Sequence, residues 1–233
     1  MAKYRNTRLT LWALLLVLAG CTTPAPSHFA GEPARTPAAA SPRGMRGGVF
    51  VSEALPALRL TPGAGLVYLG AHPFRIGTIA QGERHLFADR ADGVVHRLLV
   101  LQFESILPSS TEEYRYRISN PVELGGIPYR HSVHLYRVSD SIREAPESEL
   151  ALTVEFLRGK RLTLPDEQAM SRYARVIGAD RKHELLIFYH ESLADWGKGG
   201  IETLAIDGAP RPEAAALAAA FVERARKSFT ITE

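Results

Sequence analysis

Hydrophobic and polar residues alternate along much of this 233-residue chain, which is the spacing of strands with one face buried. Residues 48–53, 58–61 and 66–76 read as short strands, punctuated by Pro56, Pro62-Gly63 and Pro73. Residues 84–90 and 94–106 flank Asp92-Gly93, a dipeptide suited to a two-residue type I′ turn because both positions take positive φ. A hairpin closed there pairs Ala91 with Val94, Asp89 with His96 and Phe87 with Leu98. Val95, Leu99, Leu101 and Phe103 then face one way, and Val94, Leu98 and Val100 the other. A strand apolar on both faces is buried on both, so 94–106 is expected to be central in its sheet, with a covering layer on each side.

Residues 113–118 alternate again, with Tyr114, Tyr116 and Ile118 on one face and Arg115 and Arg117 on the other. Gly125-Gly126 marks a turn, and residues 129–138 form another alternating strand. Over 146–159 the pattern changes. Leu150, Val154 and Leu157 stand at helical spacing, Glu147 and Glu149 suit a helix start, and Arg158-Gly159 suits an end. Leu150, Leu152, Val154 and Phe156 also alternate, so a strand is the alternative to the favoured helix. Residues 166–177 have the same ambiguity: a helix burying Met170, Tyr173, Ala174 and Ile177, or a strand in the latter half hairpinned to the next segment. Residues 183–191 contain Leu185-Leu186-Ile187-Phe188-Tyr189 and read as a strand, with 200–206 as a partner. Residues 212–228 make the best helix: Pro212 fits the first turn, Leu217, Phe221 and Ala225 form one stripe, and Arg224, Arg226 and Lys227 suit the end. Many strands, a mixed section and a final helix predict an α+β fold with a mainly antiparallel sheet and two or three helices, including a C-terminal amphipathic helix.

The first residues follow different rules. Lys3, Arg5 and Arg8 precede the run 9–19, in which Thr10 alone is polar. A spanning helix needs about 20 apolar residues, so the run has the size of a signal-peptide core. It ends in Leu18-Ala19-Gly20-Cys21, which resembles the lipobox of bacterial lipoproteins. The resemblance covers residues 1–21. It implies cleavage before Cys21 and attachment of a diacylglyceryl group and an amide-linked acyl chain to that residue. Thr22 stands where the family places Asp for inner-membrane retention in enteric bacteria, so the resemblance implies the outer membrane, facing the periplasm. The alternatives are a plain secretory signal or an uncut anchor. Cys21 is the only cysteine, so no internal disulfide exists, and lipidation would account for an odd thiol.

Residues 21–47 read as the lipidated cysteine and a Pro/Ala-rich tether, with Pro24, Pro26, Pro33, Pro37 and Pro42 favouring extended conformations. Fully extended, it reaches roughly 80 Å at about 3.1 Å per residue. The alternative, that part of it packs on the domain, arises near Met45. Residues 48–233 are expected to form one domain, long enough for a sizeable core.

Cleavage also changes the charge. The chain carries 28 Lys+Arg and 25 Asp+Glu. Without Lys3, Arg5 and Arg8 the balance is even, and no basic cluster suggests nucleic acid as a partner. The chain has no G-x-S-x-G, Walker A or G-x-G-x-x-G motif, and Gly63-Ala64-Gly65 starts the last of these only for Tyr68 to end it. His190-Glu191-Ser192-Leu193-Ala194 comes near the zinc-protease H-E-x-x-H, but Ala194 replaces the second histidine, Asp195 follows, and the segment reads as strand. The favoured reading there is a surface histidine and acid at a strand end. His131 and His134 are expected on opposite faces of a strand, which disfavours a shared metal. Asp89 opposite His96 could orient a general base, though an ordinary cross-strand pair is favoured. Tyr114, Tyr116, Tyr129 and Tyr136 could line a ligand groove, with half-buried core positions favoured. Trp196 lies in a turn-rich loop, either as an exposed contact or folded back over the sheet edge.

No cofactor or metal is implied. The leading expectation is a lipid-anchored, non-enzymatic binding or scaffold domain in the cell envelope, with an envelope protein or a small apolar ligand as partner. The alternative is an envelope hydrolase built on Asp89 with His96, or on His190 with Glu191 and Asp195. A purely structural role in an envelope assembly is a third reading.

Overall fold

The computed structural model describes residues 41–118, 121–197 and 199–233, so the lipobox, Cys21 and most of the expected tether lie outside the described residues. In chain order the elements are β1 (Arg43–Arg46), β2 (Val49–Ser52), β3 (Leu58–Pro62), β4 (Val67–Ile76), β5 (Ala80–Ala91), β6 (Val94–Ile106), β7 (Val122–Leu124), β8 (Ile127–Arg137), α1 (Val138–Glu144), α2 (Glu149–Gly159), β9 (Glu167–Ile177), β10 (His183–Ser192), α3 (Ile201–Leu204), β11 (Ala205–Ile206), β12 (Ala209–Pro210), α4 (Ala215–Lys227) and β13 (Phe229–Thr232). The fold is α+β, mainly antiparallel.

A seven-stranded sheet in the order β4-β5-β6-β10-β9-β8-β7 forms the frame, and every neighbouring pair in it is antiparallel. β6 and β10 lie at its middle, and both faces of each are covered. On one face Leu99, Leu101, Phe103, Leu185 and Ile187 meet a second sheet, β1-β2-β3-β13, through Phe50, Leu60, Phe229 and Ile231. Farther along that face, α4 seats Phe221 and Ala225 against Leu135, Ala169 and Tyr189. On the other face Leu157 of α2 packs on Leu86, Val95, Leu98, Val100 and Leu186. The expected cover on both sides of 94–106 is present.

The Asp92-Gly93 turn forms as expected, with φ of 51° and 79°. The hairpin register differs from the expected one. Ala91 pairs with Val94 and Arg90 with Val95, but a bulge then leaves His96 unpaired and sets Asp89 opposite Arg97 and Phe87 opposite Leu99. One extra residue on a strand reverses every face beyond it. Val95 therefore joins Leu98 and Val100 in one cluster, with Leu99, Leu101 and Phe103 on the opposite face.

Three other expectations need correction, and one that was left open is decided. Residues 113–118 form no strand, because the backbone bonds to Arg181 at Tyr114 while the tyrosine hydroxyls reach into the sheet's polar row. Residues 200–206 begin as the short helix α3, with the Glu167 carboxylate accepting from the Ile201 N–H at 3.3 Å, and only Ala205–Ile206 pairs as strand. The ambiguous 166–177 is a strand, hairpinned to β10. Residues 43–46, assigned to the tether, form β1, so the ordered domain starts ahead of the expected boundary at 48. The favoured helix over 146–159 is α2, with Ser148 Oγ capping the Ala151 N–H.

Arg43 shows why β1 belongs to the domain. Its guanidinium donates to Glu83 on β5 at 2.6 Å, to Ser52 on β2 at 3.1 Å and to the Leu55 carbonyl at 2.7 Å, and it lies 4.1 Å from the Phe103 ring centre. The His85 imidazole, 3.5 Å away, with the hydrogen bond from Arg43, holds the Glu83 carboxyl down at about 2 despite burial. This side chain ties one sheet to the other. Arg43→Met is expected to lower stability by about 2–4 kcal/mol in urea unfolding; a loss below about 0.5 kcal/mol, the scale of an ordinary surface change, would show that the sheets hold together without it.

Candidate functional site

The face of the large sheet that α2 covers carries two kinds of residue. Along β10 the side chains on this face are Glu184, Leu186, Phe188 and His190, and opposite them in β6 stand Glu104, Gln102, Val100 and Leu98. α2 packs tightly only through its C-terminal half, where Leu157 is fully buried. Its N-terminal half, from Ser148 to Thr153, instead roofs a cavity of about 570 Å³. Leu98, Val100 and Arg84 lie deep in it, while Arg172 and Met170 are half-buried and His134 is exposed at its rim. Apolar walls with a few placed polar groups are the usual composition of a small-molecule site.

The polar groups form connected chains. Arg84 donates from Nε to Gln102 Oε1 at 2.7 Å, Gln102 donates to Glu104 Oε2 at 2.8 Å, and Tyr114 donates to Glu104 Oε1 at 2.5 Å. Glu184, directly across from Glu104, accepts from the Tyr116 hydroxyl at 2.7 Å and lies 3.9 Å from Arg172. Burial raises both carboxyl pKa values, against the tyrosine hydrogen bonds that lower them. At the other end His190 Nδ1 lies 3.0 Å from the Tyr136 hydroxyl. Burial, with the nearby Arg84 charge, pulls this imidazole down to about 3, so it is neutral at physiological pH.

The sequence candidates divide between the two faces. His190 lines the cavity, and it is buried rather than at the surface, as is Glu191. Glu191 points the opposite way, where it accepts from Arg224 at 2.6–3.1 Å, from Tyr189 at 2.8 Å and from Trp196 at 3.3 Å. A carboxylate bound by three side chains is a tie between α4 and the sheet. Asp195 stands 3.4 Å from His96 beside a shallow depression that Trp196 also lines. Trp196 folds back onto Phe221, with ring centres 5.5 Å apart. Asp89 is held by Arg97 at 2.6 and 2.8 Å, so the expected Asp89–His96 pairing is replaced by an ion pair. The His190–Glu191–Asp195 set therefore does not converge.

Tyr114 and Tyr116 stand behind the cavity's carboxyls rather than among its lining, whereas Tyr136 lines it and Tyr129 is fully buried core. His131 bonds Ser171 on one face of β8, and His134 stands at the cavity rim on the other, as its strand spacing predicts. Among the described residues no group of three or more His, Cys, Asp or Glu side chains is placed to hold a metal ion. Sequence reasoning missed Arg84, Gln102, Glu104, Arg172 and Glu184. Their signal was available: Gln102 and Glu104 interrupt a run expected to be buried on both faces, where polar groups need specific partners.

Comparison with protein families, curated proteins and solved structures finds no match to this chain. The site is therefore read from its own chemistry.

The buried imidazole gives a test with a definite sign. As pH falls, the unfolded chain takes up a proton at this position near the ordinary value of 6.5, while the folded chain takes it up only near 3. Relative to His190→Gln, the wild type should lose stability as pH drops from about 7 to about 4, by up to about 1.4 kcal/mol per pH unit. Urea midpoints for the two proteins across that range measure it; a constant difference would mean that the folded imidazole protonates normally.

Proposed function

We propose that this chain is a lipid-anchored lipoprotein of the cell envelope whose folded domain binds a small, partly apolar ligand. The observation that supports the binding role is the cavity under the N-terminal half of α2. Leu98, Val100, Leu150, Met170, Leu186 and Phe188 supply its apolar wall, and Arg84, Glu184 and His190 are among its polar groups. Anchoring rests on the Leu18-Ala19-Gly20-Cys21 resemblance. Several acyl chains on Cys21, at about 0.8 kcal/mol per buried methylene, hold a protein firmly where a single chain would not. In this reading residues 22–42 lead from the outer-membrane surface to the domain. The envelope-hydrolase reading has less support, because His190 shares no site with Glu191 and Asp195.

Two experiments separate the parts of the proposal. A naphthylamine dye that fluoresces in apolar surroundings should bind the full chain saturably at one site. Leu150→Trp, which fills the cavity from its roof, should weaken it about tenfold or more with the circular dichroism spectrum unchanged. Dye binding indifferent to that substitution would remove the cavity from the account. For the anchor, mass spectrometry of protein from its own membrane should find residues 1–20 absent and Cys21 acylated, and Cys21→Ser should abolish acylation. A free thiol at Cys21 in the native protein would refute the anchor.

A further inference from the structure

The floor of the cavity holds a cation that no carboxylate among the described residues contacts directly. Arg84 is only 7% exposed. Its Nε donates to Gln102 and its Nη1 to the Glu149 carbonyl and the Thr153 hydroxyl, each of these two at 2.8 Å. All of these acceptors are uncharged, and no carboxylate among the described residues forms an ion pair with it. Elsewhere the partly or wholly buried charges are matched directly: Arg43 by Glu83, Arg97 by Asp89, Glu191 by Arg224. Among the described residues Nη2 of Arg84 makes no hydrogen bond, and Arg84 is one of the residues that line the cavity. The Phe188 ring, 5.1 Å from the guanidinium carbon, covers one of its faces. A buried guanidinium without a counter-charge is costly, and a planar guanidinium held in place by three hydrogen bonds is pre-organised for an oxyanion.

We infer that the cavity takes an amphiphile with one anionic head, of the long-chain carboxylate class, with the head on Arg84 Nη2 and the chain running over Val100, Leu98 and Met170 toward the rim. This rests on the cavity-binding reading above. The other charged groups around the cavity favour a single charge on the head. Glu104 is turned to Gln102 and Tyr114, Glu184 to Tyr116 and Arg172, and Glu149 begins α2. A doubly charged head would meet these carboxyls with only Arg84 and Arg172 to offset them. Recognition of an amine by Glu104 and Glu184 is the opposite arrangement, and the same experiment decides against one of the two.

The test is displacement of the naphthylamine dye from the full chain in lipid nanodiscs at neutral pH by octanoate, octanol and octylammonium. Partition into the lipid is common to wild type and variants and cancels in their comparison. Octanoate should displace dye at a concentration about ten- to a hundredfold below that of octanol, the scale of a hydrogen-bonded charge pair. Arg84→Gln should erase that preference, and Arg84→Lys should keep part of it. Should Arg84→Gln fail to fold, the wild-type ratio and the lysine variant still decide. Equal displacement by octanoate and octanol, or strongest displacement by octylammonium, overturns the inference and leaves the cavity reading standing. No displacement by any of the three from a cavity that Leu150→Trp has shown to hold the dye also overturns it. Dye binding that Leu150→Trp does not affect overturns both.

Discussion

Strand β10 is buried along both faces from Glu184 to Ser192, and the rest of the domain answers that constraint. Leu185, Ile187 and Tyr189 on one side, and Leu186 and Phe188 on the other, cannot be left in water, since apolar area is worth about 25 cal/mol per Å² removed from it. The chain supplies two different covers. The small sheet and α4 close one side with apolar residues throughout. On the other side α2 closes only part of the face, since Leu157 seats its far end while Ser148, Glu149 and Thr153 span the cavity at its near end. The site is the gap left where one cover is incomplete.

What keeps that gap from collapsing is polar chemistry placed within an apolar strand pair. Two glutamates directly opposite each other in β6 and β10 repel when both are ionised, and burial disfavours that state further. Tyr114 and Tyr116 each donate a hydroxyl to one of them, which is why the segment 111–118 crosses the sheet without joining it. Arg84 extends the network to α2 through Thr153 and the Glu149 carbonyl. Floor and roof are thereby connected at fixed distance by hydrogen bonds rather than by packing. A network of this kind holds shape without filling space.

Much of the fold was legible in local pattern. Asp92-Gly93 closes its turn with both φ values positive, the charges of 146–159 delimit α2, and Leu217, Phe221 and Ala225 place α4 on the sheet. The bulge at His96 was not legible, because nothing in Val94-Val95-His96-Arg97 distinguishes a regular strand from one with an extra residue. That single residue exchanged Asp89's partner from His96 to Arg97. The site itself depended on pairings between distant segments. Glu104 and Glu184 become neighbours only through the β6–β10 ladder, and Arg84 reaches the cavity only because β5 lies on the other side of β6. Polar residues inside runs expected to be buried on both faces marked the place without revealing which of them meet. The apparent catalytic cue at His190-Glu191 failed for an elementary reason: adjacent residues on a strand face opposite ways.

If the cavity under α2 is built to be occupied, native mass spectrometry of the intact protein, purified from its native source without organic solvent, should find it filled. A non-covalent adduct of defined mass is expected, one per chain, which organic extraction removes and which is detected as a negative ion after dissociation in the gas phase. A protein free of any such adduct under conditions that preserve the fold would contradict it.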